Sequence, residues 1–270
     1  MTVAEHLAVA GRTVVITGAA GGIGRALARR FSAAGARLAL LDRDRDALAA
    51  LPVRPDAVGT DVLAIPCDVT SIEDCAVAIA RVVAEYGGVD VLVNNAGITH
   101  ISPFADTDVD VLRRVMDVNF FGAVNMTHVA LGSLLERRGQ IVVMSSVAGF
   151  APLVLRTGYA ASKHALHGCF GSLRAELRGT GVGITLVCPS FVRTGIADHA
   201  LGAHGDAPTH PRTQTGTPAE PADLAAAVFD ATVRRRRLLL HSRTAKLSYL
   251  VSRAWPGRYE RVMARRILAG

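Results

Sequence analysis

The sequence predicts a three-layer α/β protein: a doubly wound parallel sheet with helices on both faces, followed by a C-terminal helical extension. Two observations carry this. Short, wholly apolar runs alternate with helical stretches between residues 13 and 190, and strands apolar on both faces belong to a parallel sheet buried between helices. Half of the 270 residues are hydrophobic and 20% are charged, enough apolar material for one large core. Right-handed crossovers then wind such a sheet in both directions.

The elements follow in order. TVVIT (13–17) is the first strand, and GGIGRALARRFSAAG is the helix after it. ARLALLD (36–42) is the second strand, trailed by a short polar helix near 43–51. DVLAIPCDV (61–69) is the third strand, and SIEDCAVAIARVVAEYG (71–87) is an amphipathic helix with Ser71 as N-cap. VDVLVNNAG (89–97) is the fourth strand, before a long helical pattern over 107–137. GQIVVMSS (139–146) is the fifth strand, followed by a helix over 159–178 and a strand GITLVCPS at 183–190. Residues 193–222 turn rich in Pro, Thr and Gly, a long loop of the kind that usually serves a function. ADLAAAVFDATVRRRR is the next helix, LLLH a short strand, and 244–268 two helical pieces broken at Pro256-Gly257. Residues 1–240 are thus read as one domain, with 241–270 as a basic amphipathic extension.

Charge is unevenly placed. From Val233 to Gly270 there are ten arginines, one lysine and one acid, a net +10, against −3 for residues 1–232. The high overall basicity is therefore a property of one terminal segment. The four cysteines, Cys67, Cys75, Cys169 and Cys188, form no CxxC pair and show no metal-ligand spacing, as for free thiols in a reducing compartment. The N-terminus lacks a basic stretch followed by an apolar one, and no apolar run approaches the ~18 residues of a membrane span. A cytoplasmic location is expected.

The first strand runs directly into TGAAGGIG (17–24) and then a helix. Glycines there permit a tight turn and close backbone approach to a pyrophosphate, which the helix N-terminus then faces. Asp42 closes the second strand, eighteen residues after Gly24, where a carboxylate suits ribose hydroxyls and repels a 2′-phosphate. NAD(H) is expected over NADP(H), with Arg43 as the competing element. Asp68 and Asn94 stand at the ends of strands three and four, the edge at which ligands bind.

Tyr159 and Lys163 are spaced i, i+4 in YAASK, so they share a helix face. Lysine is scarce here: the 30 basic residues include only Lys163 and Lys246. A phenol of pKa ~10 is a poor base at neutral pH. A nearby ammonium lowers that value and makes a proton donor and acceptor of the tyrosine.

Taken together, TGAAGGIG, NNAG at 94–97, a serine thirteen residues before the tyrosine, YAASK and PSFVRT at 189–194 resemble the short-chain dehydrogenases/reductases, over roughly residues 10–240. The resemblance implies a Rossmann fold and an NAD(P)(H)-dependent oxidoreductase interconverting a secondary alcohol and a ketone. It assigns Ser146 to hydrogen-bond the substrate oxygen, Tyr159 to exchange a proton with it, and Lys163 to bind the nicotinamide ribose and tune Tyr159. Asn119 in MDVNFFG would hold a relay water, or else merely kink its helix. Cofactor contacts fall on Gly18, Gly22, Ile23 and Gly24 of the turn, and on Asp42 and Arg43. They continue with Asp68, Val69, Asn95, Ala96 and Gly97, and with Pro189, Val192 and Thr194 in the sixth-strand motif. Ser190 stands where the family usually has glycine, which puts the local backbone in question. A homodimer or homotetramer through helices 107–137 and 159–178 is implied as well. An NADPH-dependent biosynthetic carbonyl reductase and a non-catalytic dinucleotide sensor are the alternative functions.

Substrate walls are expected from Val147, Phe150, Leu153 and Leu155, with Phe191 and Ile196 from the 193–222 substrate loop and its approach. This lining is apolar and has no obvious anchor for a carboxylate or phosphate, so a lipophilic substrate is expected: steroid-like, aliphatic or aryl. His100 is read as a solvated loop residue or a substrate contact, and Arg156 as a surface residue or a handle for an anionic group. In the tail, Leu247, Leu250, Val251, Trp255, Tyr259, Val262, Met263 and Ile267 recur at helical spacing opposite arginines. Three readings compete. The tail packs on the protein's own pocket or a sister subunit, it touches an anionic membrane peripherally, or it binds nucleic acid. The last lacks a reading helix or stacking aromatics, so no nucleic-acid partner is expected.

Overall fold

The computed structural model describes residues 6–51, 61–197, 199–210 and 217–268. Seven parallel strands form one sheet in the order β3-β2-β1-β4-β5-β6-β7. They are β1 (Thr13–Thr17), β2 (Arg37–Asp42), β3 (Val62–Pro66), β4 (Val91–Asn94), β5 (Gln140–Met144), β6 (Gly183–Cys188) and β7 (Leu238–Leu240). Strand order reverses between β1 and β4, which opens a crevice at the carboxyl edge of the sheet.

Helices α1 (Gly22–Ser32), α2 (Arg45–Ala49), α3 (Ile72–Tyr86), α4 (Val109–Met116), α5 (Gly122–Glu136), α6 (Thr157–Glu176) and α7 (Pro221–Val233) connect the strands. Two apolar clusters lie on opposite faces of the sheet. One gathers Cys75, Val82, Met126, Leu134, Leu166 and Phe170 from α3, α5 and α6. The other gathers Leu27, Phe31, Leu224 and Val228 from α1 and α7. Alternate residues of one strand feed each: Val15 goes to the first cluster, Val14 and Ile16 to the second. That period-two division is why the strands read as unbroken apolar runs.

The helical stretch over 107–137 is not one regular helix. A π-helical turn, Asp117–Phe121, separates α4 from α5. By length and composition alone Val109–Glu136 could cross a membrane, which corrects the expectation that no apolar stretch reaches that length. Here Met126, Ala130 and Leu134 of this helix are buried in the core. The third strand ends at Pro66 rather than residue 69, so Cys67, Asp68 and Val69 leave the sheet at its carboxyl edge. In the 193–222 segment, Leu201 bridges His100 and Ala219 bridges Val192. Residues 198 and 211–216 lie outside the described residues.

The tail forms α8 (Arg243–Ala254) and α9 (Pro256–Leu268). Trp255 breaks the helix with φ −141° and ψ 65°, as a residue before proline does, and Pro256 then starts the next helix. Ser242 caps α8 by accepting from the Ala245 N–H at 3.0 Å. The side chain of Ile267 lies outside the described ones.

Candidate active site

Two cavities meet at the carboxyl edge of the sheet. One, of about 820 Å³, is walled by the glycine turn and the ends of β2, β3 and β4. The other, of about 770 Å³, holds Ser146, Tyr159 and Lys163. Ile23, Asn95, Gly97, Thr194 and Ile196 belong to both walls, so the cavities adjoin.

Backbone makes much of the first cavity. Gly18 has φ +61°, and a Cβ there would stand 2.8 Å from Ala96 Cα; a Cβ at Gly24 would meet the Gly18 carbonyl oxygen at 2.2 Å. Both positions therefore require glycine. α1 begins after Gly21 with no side-chain cap and no acid in its first turn, so its N–H groups remain available to an anion. Asn95 locks the turn, donating from Nδ2 to the carbonyls of Thr17 and Gly18 at 2.9 and 3.0 Å. Asp42 accepts from the N–H of Ala20 at 2.9 Å and of Asp44 at 3.1 Å. Its carboxylate is thereby fixed beside the turn, with the exposed Arg43 on the same wall. Gly22, Asp68, Val69 and Ala96 also line this cavity. The residues fit a dinucleotide: a turn that Cβ atoms would fill, free N–H groups beside it, and an acid at the far end.

One placement differs from the sequence reading. Asn94 faces away from the cleft, buried and donating to Thr127 Oγ1 at 2.9 Å; a one-residue step along the strand sends Asn95 to the opposite side. Pro189 and Val192 line the second cavity beside Tyr159 and Lys163, and Thr194 lines both, in keeping with contacts at the nicotinamide end of the cofactor.

In the second cavity, α6 carries Tyr159 and Lys163 on successive turns. Lys163 is buried, and its Nζ donates to the Met144 carbonyl at 2.8 Å, 5.6 Å from the Tyr159 ring centroid. Burial lowers its pKa to about 8. Burial raises that of Tyr159, opposed by a hydrogen bond with Ser146 and by the Arg156 guanidinium. Among the protein's own groups, Ser146 and Arg156 hold the phenol down, while Lys163 is itself weakened as an ammonium by desolvation.

Ser146 also accepts from the Ala148 N–H at 3.2 Å, starting a short turn after β5. Ser145 faces inward, donating to the Lys163 carbonyl at 3.4 Å and bonded to His167 Nε2 at 3.0 Å. Both serines line the cavity, but the Ser145 hydroxyl is tied to Lys163 and His167, which leaves Ser146 beside Tyr159. Asn119 sits in the π turn, buried. Its Oδ1 accepts from the Ile98 N–H at 2.8 Å, and its Nδ2 donates to the Ile98 carbonyl and Ser162 Oγ at 3.0 and 2.9 Å. Helix distortion and site positioning are therefore one feature here.

His100 is neither solvated nor a wall of either cavity. It is fully buried, and its Nε2 accepts from the Gly158 N–H at 2.9 Å. That bond fixes the tautomer, with Nδ1 as donor toward Ser102 Oγ at 3.2 Å. The imidazole supplies the acceptor that the uncapped start of α6 lacks, one residue before Tyr159. Burial, then Arg156, lowers its pKa to about 4. No local sequence signal points to this role. Arg156 is likewise not a surface residue only: it lines the second cavity and donates to Thr99 Oγ1 at 3.3 Å.

Of the expected walls, Val147, Leu153, Phe191 and Ile196 line the catalytic cavity. Phe150 does not. Its ring packs edge-on against Tyr249 at 5.0 Å and so supports α8. Leu155 does not either; it takes a left-handed φ of +61°, and its carbonyl accepts from the Ser102 N–H at 3.0 Å. The tail supplies much of the remaining wall: Arg243, Leu247 and Val251 from α8, and Arg258, Val262 and Met263 from α9. Helical periodicity in the tail was the available signal, and packing on the protein's own pocket was one of the three expected readings. Ser190, the departure from the family pattern, does not take the left-handed backbone that would demand glycine. Its hydroxyl accepts from Ser242 Oγ at 2.9 Å, tying the cap of α8 to the end of β6.

Fold and site together define an oxidoreductase built on a dinucleotide-binding sheet. The family model described as short chain dehydrogenase matches residues 12–202, and the chain belongs to that family. It is 36% identical over 263 residues to Dehydrogenase/reductase SDR family member 7B of Danio rerio, covering 94% of this chain and 85% of the relative. The Mus musculus protein of the same name is 35% identical, with 94% and 80% covered. A crystal structure of a short chain dehydrogenase/reductase from Burkholderia phymatum in complex with NAD superposes with a TM-score of 0.82 at 28% identity, covering 92% of this chain and 94% of that one.

Proposed function

We propose that this protein interconverts a lipophilic secondary alcohol and its ketone, with NAD(H) preferred over NADP(H). The observation that carries the reading is the Ser146–Tyr159–Lys163 set in a largely apolar cavity adjoining a dinucleotide-shaped cleft. When bound, the nicotinamide supplies the hydride donor or acceptor. Tyr159 gives its proton to the substrate oxygen in reduction and takes it back in oxidation. Ser146 orients that oxygen with a hydrogen bond. Lys163, held by the Met144 carbonyl, is the residue that would hold the nicotinamide ribose and pass protons toward Tyr159. Both Nδ2 hydrogens and one acceptor position of Asn119 are engaged with Ile98 and Ser162, so a relay water there would donate to Oδ1 or rest on backbone.

The test is Tyr159→Phe, which removes the transferable proton and leaves the ring. Turnover of a carbonyl panel should fall by about 10²–10⁴-fold, with NADH titration unchanged. Retained turnover would sink the mechanism.

The NAD preference is supported by the fixed Asp42 carboxylate and by the NAD complex of the Burkholderia structure. We also infer a cytoplasmic homodimer or homotetramer joined through α4–α5 and α6; exposed Phe121 and the open surface at Gly168 and Gly171 support this. Peripheral membrane contact is a second inference. It is favoured by Leu250, Trp255 and Val262, which are 64, 58 and 49% exposed on the arginine-rich tail. Co-sedimentation with phosphatidylglycerol vesicles should be weakened by Leu250→Ser with Trp255→Ser; equal binding by wild type and variant would end this idea.

A further inference from the structure

Among the described residues, four charged side chains line the catalytic cavity, and all are basic: Arg156, Lys163, Arg243 and Arg258. Two of them have structural work inside the protein. Lys163 donates to the Met144 carbonyl at 2.8 Å, and Arg156 to Thr99 Oγ1 at 3.3 Å. The other two come from the tail that roofs the cavity. Arg243 opens α8 and Arg258 lies in the first turn of α9. Among the described residues neither forms an ion pair with an acid, although arginines elsewhere do.

The setting gives these charges weight. Leu153, Phe191, Val251 and Met263 are among the apolar side chains of the same wall, so the guanidinium groups are the polar feature an amphiphilic ligand would meet beyond it. Arg243 and Arg258 are exposed as residues, which puts them at the solvent side of the cavity, whereas Tyr159 and Lys163 stand at its inner side, on α6 against the sheet. A ligand that spans the cavity meets a proton donor at one end, an apolar wall, and guanidinium groups at the other. Guanidinium pairs with planar or tetrahedral oxyanions in two-point geometry, which an ammonium does not match.

We propose that the substrate is an amphiphilic anion: a ketone or secondary alcohol joined through an apolar chain or ring to a carboxylate or phosphate, which Arg243 and Arg258 receive at the cavity mouth. This replaces the sequence-based expectation of a lining without an anionic anchor, and it rests on the proposed carbonyl chemistry at Tyr159. The tail is then a specificity element as well as a roof.

The test compares a medium-chain oxo fatty acid, ketone near the far end, with its methyl ester and with the matching oxoalkyl phosphate. Wild-type enzyme should use an anion over the neutral ester by about tenfold or more in kcat/KM, about what one charged hydrogen bond supplies. Whether the carboxylate or the phosphate gives the larger ratio identifies the headgroup. The ratio should shrink with added salt. Arg243→Gln and Arg258→Gln should each lower it, and the double variant should bring it near unity. Arg261→Gln, a tail arginine outside the cavity wall, should leave it in place. Direct binding gives an independent readout: dodecanoate should raise the melting temperature of wild type more than dodecanol does, and the double variant should lose that difference. Equal use of acid, phosphate and ester by wild type overturns the proposal. So does a preference that survives the double variant, or that Arg261→Gln removes equally. If the neutral ester is turned over and depends on Tyr159 while no anion is preferred, the carbonyl chemistry stands and only the anionic substrate fails.

Discussion

The two halves of the cleft are built differently. The dinucleotide side is made of short-range pieces: a turn of eight residues, strand ends, and an acid that follows in the next strand. Its partners are mostly backbone groups, as in the bonds of Asp42 to Ala20 and Asp44 and of Asn95 to Thr17 and Gly18. The other side is assembled from distant segments: the end of β5, the first turns of α6, the loop after β6, and the tail from Arg243 onward. Backbone geometry fixes the first half and leaves it little freedom. Side chains and a packed-on roof make the second, so it can change its substrate without disturbing the sheet.

Three perturbations should separate the halves further, in falling order of effect. Gly24→Val places side-chain carbon where a Cβ already meets the Gly18 carbonyl at 2.2 Å. Overpacking of this kind costs about 1–3 kcal/mol, and here the cofactor turn must give way. NADH affinity by fluorescence titration should fall by about tenfold to a hundredfold, while the tail and catalytic cavity stay intact. Normal NADH affinity in this variant would mean the turn is not the cofactor cradle.

The second perturbation acts on acid stability. His100 and His167 both lie behind the catalytic wall, and burial lowers each to about 4 from an ordinary 6.5. Between those values the unfolded chain binds more protons than the folded one. Stability is therefore complete above pH 6.5 and is lost as pH falls toward 4. For fully buried His100 the loss amounts to about 3 kcal/mol. Urea midpoints of wild type should drop across this window, and His100→Gln should flatten the drop. An equally steep drop in the variant would remove His100 as a cause.

Asp42→Ala is the mildest change. It should cost NADH about tenfold in affinity, roughly one charge-assisted hydrogen bond, and narrow the gap to NADPH, because Arg43 then faces the 2′ position without a competing carboxylate. Tighter NADPH binding by the wild type itself would show that Arg43 dominates.

Legibility followed the same division. The turn, Asp42, Tyr159 and Lys163 could be read because each is a residue type at a spacing dictated by one local element, whereas Ser146 was assigned only through the family resemblance. The strand alternation likewise gave the sheet. Asn94 and Asn95 show the limit of that method: adjacent and chemically identical, they take opposite faces, and only strand register decides which one meets the cleft. Phe150 was expected in the wall and instead props α8. The π turn at Asn119 left no mark on the helical pattern.

Sequence alone determined the parallel sheet, the glycine turn and the tyrosine–lysine pair, since periodicity, glycine sterics and i, i+4 spacing are properties of neighbouring residues. Tertiary structure decided what those elements face. It placed His100 on the N-terminus of the catalytic helix, Ser190 against the cap of α8, and Arg243 and Arg258 on the cavity wall. Each of these contacts joins residues more than fifty positions apart or depends on how α8 and α9 settle on the sheet edge, and a linear pattern carries no record of that packing.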